Sequence, residues 1–281
     1  MRFFRYLRRN KRLAAGIFIL TFLFLFATLG RLIAPPERAY PLAVPPNKPP
    51  SPEYPFGTDS QGRDLLATIV MGTYLTVRIG VLAGVIGLAV GTFLGFISAY
   101  YGGVLDTIIR WVVDVLLTVP GLLVLVVIAA MLQRTLKPTS LSLILALLAW
   151  MGPTRTIRSQ VLSLRERAFV RVAKLSGENN LEIIFKELFP NLLPYLGASL
   201  VGSVTGAIFA SLGLEQLGLG AMREPTLGMT IYWVQYYGAF VRGLWWWILE
   251  PVAVIVLIFM GLFFLSAGLD EFANPRVRRV V

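Results

Sequence analysis

Apolar residues in this chain come in long runs, and charged residues collect between the runs instead of alternating with them. Such runs leave no polar face for water, so they predict helices lying in lipid or buried all round. About twenty apolar residues at 1.5 Å each cross a bilayer core. By that measure spans are predicted over 13–33, 75–98, 107–132, 141–155 and 245–265, with a weakly hydrophobic one, rich in small residues, over 195–214. Six spans put both chain ends on one side. Arg2, Arg5, Arg8, Arg9, Lys11 and Arg12 before the first run, and Arg276, Arg278 and Arg279 after the last, mark that side as the cytoplasm. The first run is too long for the apolar core of a signal peptide, and Pro35 and Pro36 after it make no small-residue cleavage site.

The stretch 34–56 is proline-rich and is predicted to be extended, irregular chain outside the membrane. Between the fourth and fifth spans lies a long charged segment from Arg155 to Glu187. Within it Leu181, Ile184, Phe185 and Leu188 recur at i, i+3, i+4 and i+7, which predicts a short amphipathic helix on the cytoplasmic side. That helix either lies on lipid or docks a soluble partner. Inside the second span Gly80, Gly84, Gly87, Gly91 and Gly95 recur every three or four residues. Close helix packing accounts for them better than a substrate path does. The third span carries Arg110 and Asp114 at i, i+4, expected to form a structural ion pair at the inner mouth, and then Pro120, expected to kink the helix. No further acid lies deeper in that span to continue a proton relay.

Composition narrows the chemistry. Of 281 residues 56% are hydrophobic and 15% charged, against about 25% charged in a soluble domain; mean hydropathy is +0.72. The net charge of +11 sits beside apolar runs and serves topology and lipid contact. No nucleic-acid reader motif accompanies it. There is no Cys and no His, which removes thiol chemistry, disulfides, zinc sites and histidine acid–base catalysis together. The chain is therefore read as a polytopic α-helical membrane protein without catalytic or metal-ligating residues.

Two motifs add to this. One is Gly57-Thr58-Asp59-Ser60-Gln61-Gly62-Arg63-Asp64, ahead of the second span. The other runs from Phe169-Val170-Arg171-Val172-Ala173-Lys174-Leu175-Ser176-Gly177 through Ile183-Ile184-Phe185-Lys186-Glu187-Leu188-Phe189-Pro190-Asn191-Leu192-Leu193-Pro194. With Ala99-Tyr100-Tyr101-Gly102-Gly103, Val161-Leu162-Ser163-Leu164-Arg165-Glu166, Gly268-Leu269-Asp270 and Asn274-Pro275-Arg276 in the same order, the chain resembles the "C"-type permease subunits of the dipeptide/oligopeptide/nickel group of ATP-binding-cassette importers. Leu175-Ser176-Gly177-Glu178 is not an ATPase signature, because no GxxxxGK[ST] phosphate loop exists in the chain.

The resemblance implies an all-α polytopic membrane protein of six transmembrane helices with the type I ABC importer permease fold. It divides the chain into an N-terminal part (1–74), a transmembrane core (75–268) and a cytoplasmic tail (269–281). It implies that about 161–194 is the coupling loop, two short helices joined at Gly177 and seated in a groove of the ATPase. Arg171, Ala173, Lys174, Glu178, Leu181, Ile184 and Phe185 lie on it, and Pro190 and Pro194 are expected to end the helix and restart the chain. Ala173 matches the second alanine of the family's Glu-Ala-Ala start, whereas Arg171 and Val172 replace its glutamate and first alanine. Gly57, Asp59, Gly62, Arg63 and Asp64 are implied to lie beside the binding-protein surface. There the three charges either bridge one another or form a capped lead-in to a helix, and both can hold together.

The implied partners are a homologous "B"-type permease, two ATPase subunits carrying ATP and Mg, an extracytoplasmic substrate-binding protein, and lipid of the cell membrane. The substrate is a short peptide on the family pattern, or an oligosaccharide, for which Tyr232, Trp233, Tyr236, Tyr237, Phe240, Trp245, Trp246 and Trp247 offer either stacking faces or an interfacial belt. Nickel is disfavoured by the lack of His. The rival reading, an ATP-independent secondary transporter or channel, predicts inverted repeats and interrupted helices with intramembrane charges; the sequence is read as having neither.

Overall fold

The computed structural model describes residues 10–132 and 136–273; the terminal arginines, Arg2 to Arg9 and Arg276 to Arg279, lie outside the described residues. Among the described residues the chain is helical and forms no strand. Helix α1 (Lys11–Ile33) leads through a 3-10 turn (Pro36–Ala39) and irregular chain to α2 (Leu65–Tyr101). Then come α3 (Gly103–Thr118), α4 (Gly121–Met131), α5 (Pro138–Ala149), α6 (Met151–Arg165) and α7 (Ala168–Leu175). The chain closes with α8 (Asn180–Gln216), α9 (Leu227–Tyr236) and α10 (Trp245–Ala273).

Four helices, α1, α2, α8 and α10, are long and apolar enough to cross a membrane alone. The other two spans are broken. α3 and α4 meet at 83°, and α5 and α6 at 44°. Pro120 thus ends a helix where only a kink was expected. Val119 before it is extended (φ −83°, ψ 130°), as the residue preceding a proline prefers. Interrupted helices are therefore present after all, and two of the apolar helices carry acids out of full contact with solvent: Glu215 is fully buried at the end of α8, and Glu250 is half-buried in α10. Each sits near the margin of an apolar run, where a single acid changes the hydropathy pattern little.

The fifth span is also longer than expected. Leu181 to Leu188 do not form a separate helix; they are the foot of α8. Pro190 and Pro194 lie inside the continuous helix and do not end it. The chain accommodates them with a π-helical turn over Ile183–Leu188. Its i→i+5 bonds shift which amides are needed just before Pro190, and the Asn191 side-chain amide donates to the Glu187 carbonyl at 2.7 Å.

α2 is the central post, in contact with α1, α5, α6 and α8. Its glycines supply the close approach. A Cβ on Gly84 would lie 2.8 Å from the Val204 amide nitrogen of α8, and one on Gly91 2.7 Å from the Trp150 carbonyl at the α5–α6 bend. α1 and α10 run antiparallel, joined where Asn10 donates to Glu271 at 2.9 Å. The N-terminus of α10 lies by the start of α2, with the Trp246 indole donating to the Thr58 carbonyl. The start of α8 lies by the end of α2. Both ends of the described chain and the segment 161–194 therefore share one face of the protein.

Because backbone, not a flexible side chain, opposes Gly91, Gly91→Val is expected to destabilise the detergent-solubilised protein by about 1–3 kcal/mol. Gly152→Ala, where an added Cβ meets nothing within 4 Å, is expected to hold or raise the melting temperature.

Candidate functional site

The segment implied to couple to an ATPase is built from two helices and a glycine turn. α7 ends at Ser176, and Gly177 adopts φ +84°, a left-handed conformation costly to a residue with Cβ. The Gly177 amide donates to the Lys174 carbonyl (3.1 Å) and the Glu178 amide to the Ala173 carbonyl (3.1 Å), which is the Schellman pattern. Asn179 then caps the foot of α8. Its side chain accepts from the Glu182 amide, while the Glu182 carboxylate accepts from the Asn179 amide, both at 2.9 Å.

The inward side of this turn is apolar. Val170, Ala173, Ile183 and Leu188 are buried against Phe96, Tyr100, Ile157 and Val161. Outward stand Val172, Leu175, Leu181 and Phe185, all exposed, Leu175 to 89%. The single face predicted for Leu181, Ile184, Phe185 and Leu188 is thus split: Leu181 and Phe185 are exposed, Ile184 is intermediate and Leu188 is buried. The π-helical turn inserts an extra residue and rotates the pattern, so Ile183 takes the inner position. Arg171 donates to the Glu166 carbonyl at 3.0 Å. Among the described residues, Arg167, Arg171 and Lys174 have no carboxylate within 4.0 Å, since Glu166 pairs with Arg165 and Glu182 with Lys186.

The expected Arg110–Asp114 ion pair does not form. The first turn of α3 supplies the acid instead. Asp106 takes Arg158 of α6 in a bidentate contact, Nε to Oδ1 at 2.5 Å and Nη2 to Oδ2 at 2.6 Å, and also accepts from the Ser98 hydroxyl of α2. The fixed fork of an arginine matches a carboxylate on a facing helix better than a neighbour one turn away on its own helix. Arg110, Asp114, Arg155 and Arg158 line a cavity of about 210 Å³ between α3 and α6. The spacing of Asp106 and Arg158, on different elements, left no local signal.

The Gly57–Asp64 motif is inward-facing. Asp59 is fully buried and Arg63 and Asp64 nearly so. Asp59 accepts from the Gln61 amide (2.8 Å), the Arg63 amide (2.9 Å) and Arg63 Nε (2.5 Å), so its charge is paired and hydrogen-bonded as a buried carboxylate must be. Gly57 (φ +72°) and Gly62 (φ +74°) close the loop. Asp64 is the N-cap of α2, accepting from the Leu66 amide at 2.9 Å, with Arg38 4.0 Å away. Both expected roles hold, the bridge by Asp59 and Arg63 and the cap by Asp64.

A groove of about 480 Å³ opens along α8, with Tyr195, Ser199, Gly202, Ser203 and Gly206 on one wall and α4, α5 and α6 on the other. No charged residue lines it. A Cβ on Gly202 or Gly206 would meet nothing within 4 Å, so these glycines are not there for packing within the chain. Of the aromatic residues from the end of α9 to the first turn of α10, Trp247 is fully buried and Trp246 nearly so, whereas Tyr236, Phe240 and Trp245 are exposed.

These broken spans, the glycine-packed post and the protruding turn define a membrane permease. Residues 91–279 match the family of binding-protein-dependent transport system inner membrane components, and residues 1–50 match the N-terminal TM domain of oligopeptide transport permease C. The chain belongs to this family of importer permeases. It is 31% identical over 275 residues to the dipeptide transport system permease protein DppC of Bacillus subtilis, covering 98% of this chain and 85% of that one. It is 33% identical to the corresponding protein of Alkalihalophilus pseudofirmus, covering 98% and 89%, and 32% identical to the oligopeptide transport system permease protein OppC of Mycobacterium tuberculosis, covering 82% and 79%. Among solved structures, an inward-facing conformation of the MetNI methionine ABC transporter superposes with a TM-score of 0.58 at 17% identity, covering 75% of this chain and 97% of that one. That likeness speaks for the type I permease fold alone.

Burial raises the Asp64 carboxyl above its ordinary range, opposed by the Ala67 and Leu66 amides and by Arg38. A raised folded-state value means that this group's contribution to stability is complete below the unfolded value of about 3.9 and is lost as pH rises through the folded one. Asp64→Asn, which keeps the capping oxygen but cannot ionise, is expected to melt no lower than wild type at pH 7, with the gap closing towards pH 4. Asp64→Ala is expected to be less stable than Asp64→Asn by about 1 kcal/mol at both.

Proposed function

We propose that this chain is one of two permease halves of an ATP-driven importer of short peptides, with ATPase subunits docked on the turn around Gly177. The observation that carries the docking reading is the turn itself. Four exposed apolar side chains (Val172, Leu175, Leu181 and Phe185) stand on the Schellman turn and its two flanking helices, ringed by Arg167, Arg171 and Lys174, which among the described residues have no carboxylate within 4.0 Å. An apolar knob with a cationic rim fits an apolar groove with carboxylates at its edge. Arg171 then serves through a polarity opposite to that of the family's glutamate.

The docking face is the cytoplasmic one in this reading. Lys11 and Arg12 start α1 on the same face, in keeping with the excess of basic residues on the inner side of membrane proteins. ATP and Mg belong to the ATPase subunits, a homologous "B"-type permease completes the path, and an extracytoplasmic binding protein delivers substrate by the loop carrying Asp59 and Asp64. The uncharged groove along α8 is this chain's wall of the path. It suits peptides, whose charges and side chains vary and which a neutral wall does not select against. The names of the relatives, dipeptide and oligopeptide permeases, point the same way. For an oligosaccharide the aromatic cluster offers fewer faces than its sequence suggests, because Trp246 and Trp247 are withdrawn into the interior and Tyr236, Phe240 and Trp245 remain exposed.

The test is reconstitution of the chain with its cognate permease, ATPases and binding protein in proteoliposomes. Peptide uptake is expected only with ATP and ATPases present; uptake by the permeases alone would make this a secondary transporter or channel. Leu175→Asp is expected to cut ATPase retention on purification at least tenfold. Gly177→Pro, which removes the 3.1 Å amide donor to Lys174 and forbids positive φ, is expected to do the same. Reversal of Arg171 to Glu is expected to weaken retention several-fold more than Arg171→Gln, with the difference shrinking at high salt.

A further inference from the structure

The docking turn does not hang from the membrane core by its covalent ends alone. On one flank Arg165, the last residue of α6, donates to the Ala99 carbonyl at 2.9 Å and the Tyr100 carbonyl at 3.3 Å. These belong to the final turn of α2, where a helix leaves its carbonyls without intrahelical partners. On the other flank Asn180, the first residue of α8, accepts from the Tyr100 hydroxyl at 2.8 Å. Both flanks of the turn are therefore tied to Tyr100 of α2, one through its carbonyl and the other through its hydroxyl. One helical turn away, Asp106 gathers Ser98 of α2 and the bidentate guanidinium of Arg158 of α6. The Asp106 and Arg158 side chains are only 18% and 21% exposed, so water competes weakly for the pair, and a two-bond fork resists rotation as a single contact does not. The mechanical contrast lies further along the same helices. Past the clamp, α3 breaks at Val119 and Pro120, and α6 meets α5 at the 44° bend by Trp150.

We propose that Asp106, Arg158, Arg165 and Tyr100 are positioning residues that clamp the docking turn to the ends of α2, α3 and α6. Movement of a docked ATPase then reaches the two bends as the displacement of one rigid block. The inference rests on the docking reading above. Hinges work where a few residues absorb the change between bodies that stay rigid, and here the hydrogen bonds mark the body and the interruptions mark the hinges. A network of this kind earns a role in coupling only by a measured change in coupling.

The experiment uses the complete importer in proteoliposomes and reads peptide imported per ATP hydrolysed, with ATPase retention and melting temperature measured alongside. Asp106→Asn keeps the shape and removes the charge. It is expected to retain the ATPases and hydrolyse ATP at the wild-type rate or faster, while peptide per ATP falls about tenfold. Arg158→Lys, which keeps the charge but loses the fork, is expected to fall between. Tyr100→Phe deletes only the hydroxyl tie to Asn180, and is expected to lower the ratio several-fold at an unchanged melting temperature. It decides the matter if Asp106→Asn folds poorly. Variants that melt lower but keep the wild-type ratio would overturn the clamp and leave these residues merely structural. Absence of ATPases from the purified wild-type complex would instead bring down the docking reading itself, before any variant is compared.

Discussion

Lipid tails are as apolar as leucine, so the hydrophobic effect does little to bring one helix to another inside a bilayer. What remains is contact at van der Waals distance. In this chain that contact is concentrated on α2. At two of its glycines the backbone of a neighbour takes the space of a side chain, Val204 of α8 at Gly84 and Trp150 at Gly91, and at Gly80 the Ile208 side chain of α8 does so. The positions of α6 and α8 on this post fix where their ends emerge, and the turn around Gly177 connects those ends. The placement of the protruding apolar side chains thus depends on glycines packed inside the chain, away from the turn itself.

Charges follow a complementary logic. Those inside the fold are spoken for: Asp59 by Arg63 and two amides, Asp106 by Arg158 and Ser98. Each pair ties elements that would otherwise be free to slide, at the cost of desolvating both ions. Among the described residues Glu215 and Glu250 have no such cation: Glu215 is fully buried against Gly228, and Glu250 is half-buried in α10. Arg167, Arg171 and Lys174 stay on the surface without counter-ions among the described residues, and so give the outer turn its cationic character.

Much of this was legible in the sequence because its signal is local. Long apolar runs located the spans, the glycine repeat in 80–95 marked a packing face, and Gly177 marked a reversal that its positive φ bears out. The Asp59 and Asp64 roles followed from spacing too, since a bridge and a cap need only neighbours. Illegible were the features settled at a distance. Arg110 and Asp114 are well spaced for a pair on one helix, but Arg158, 52 residues from Asp106, made the pair that formed. The 3.6 period through Leu181 and Leu188 misled because a π-helical turn interrupts it, and such a turn has no composition of its own. Pro190 and Pro194 read as stops, yet the helix carries them through. Proline removes a donor, and whether the chain can do without that donor depends on the turn before it.

The pairing of α1 with α10 bears on how the protein is made. α1 is synthesised well before α10, the helix it packs against most extensively, with Gly16 fitted against the Leu265 backbone and Asn10 bonded to Glu271. At about 5–20 residues per second, a ribosome needs roughly ten seconds or more for the chain between them. Throughout that interval α1 has no α10 to lean on and is solvated on that side by lipid alone. Its unbroken hydrophobicity, with no charge between Arg12 and Arg31, suits a helix that must wait in the bilayer for its partner.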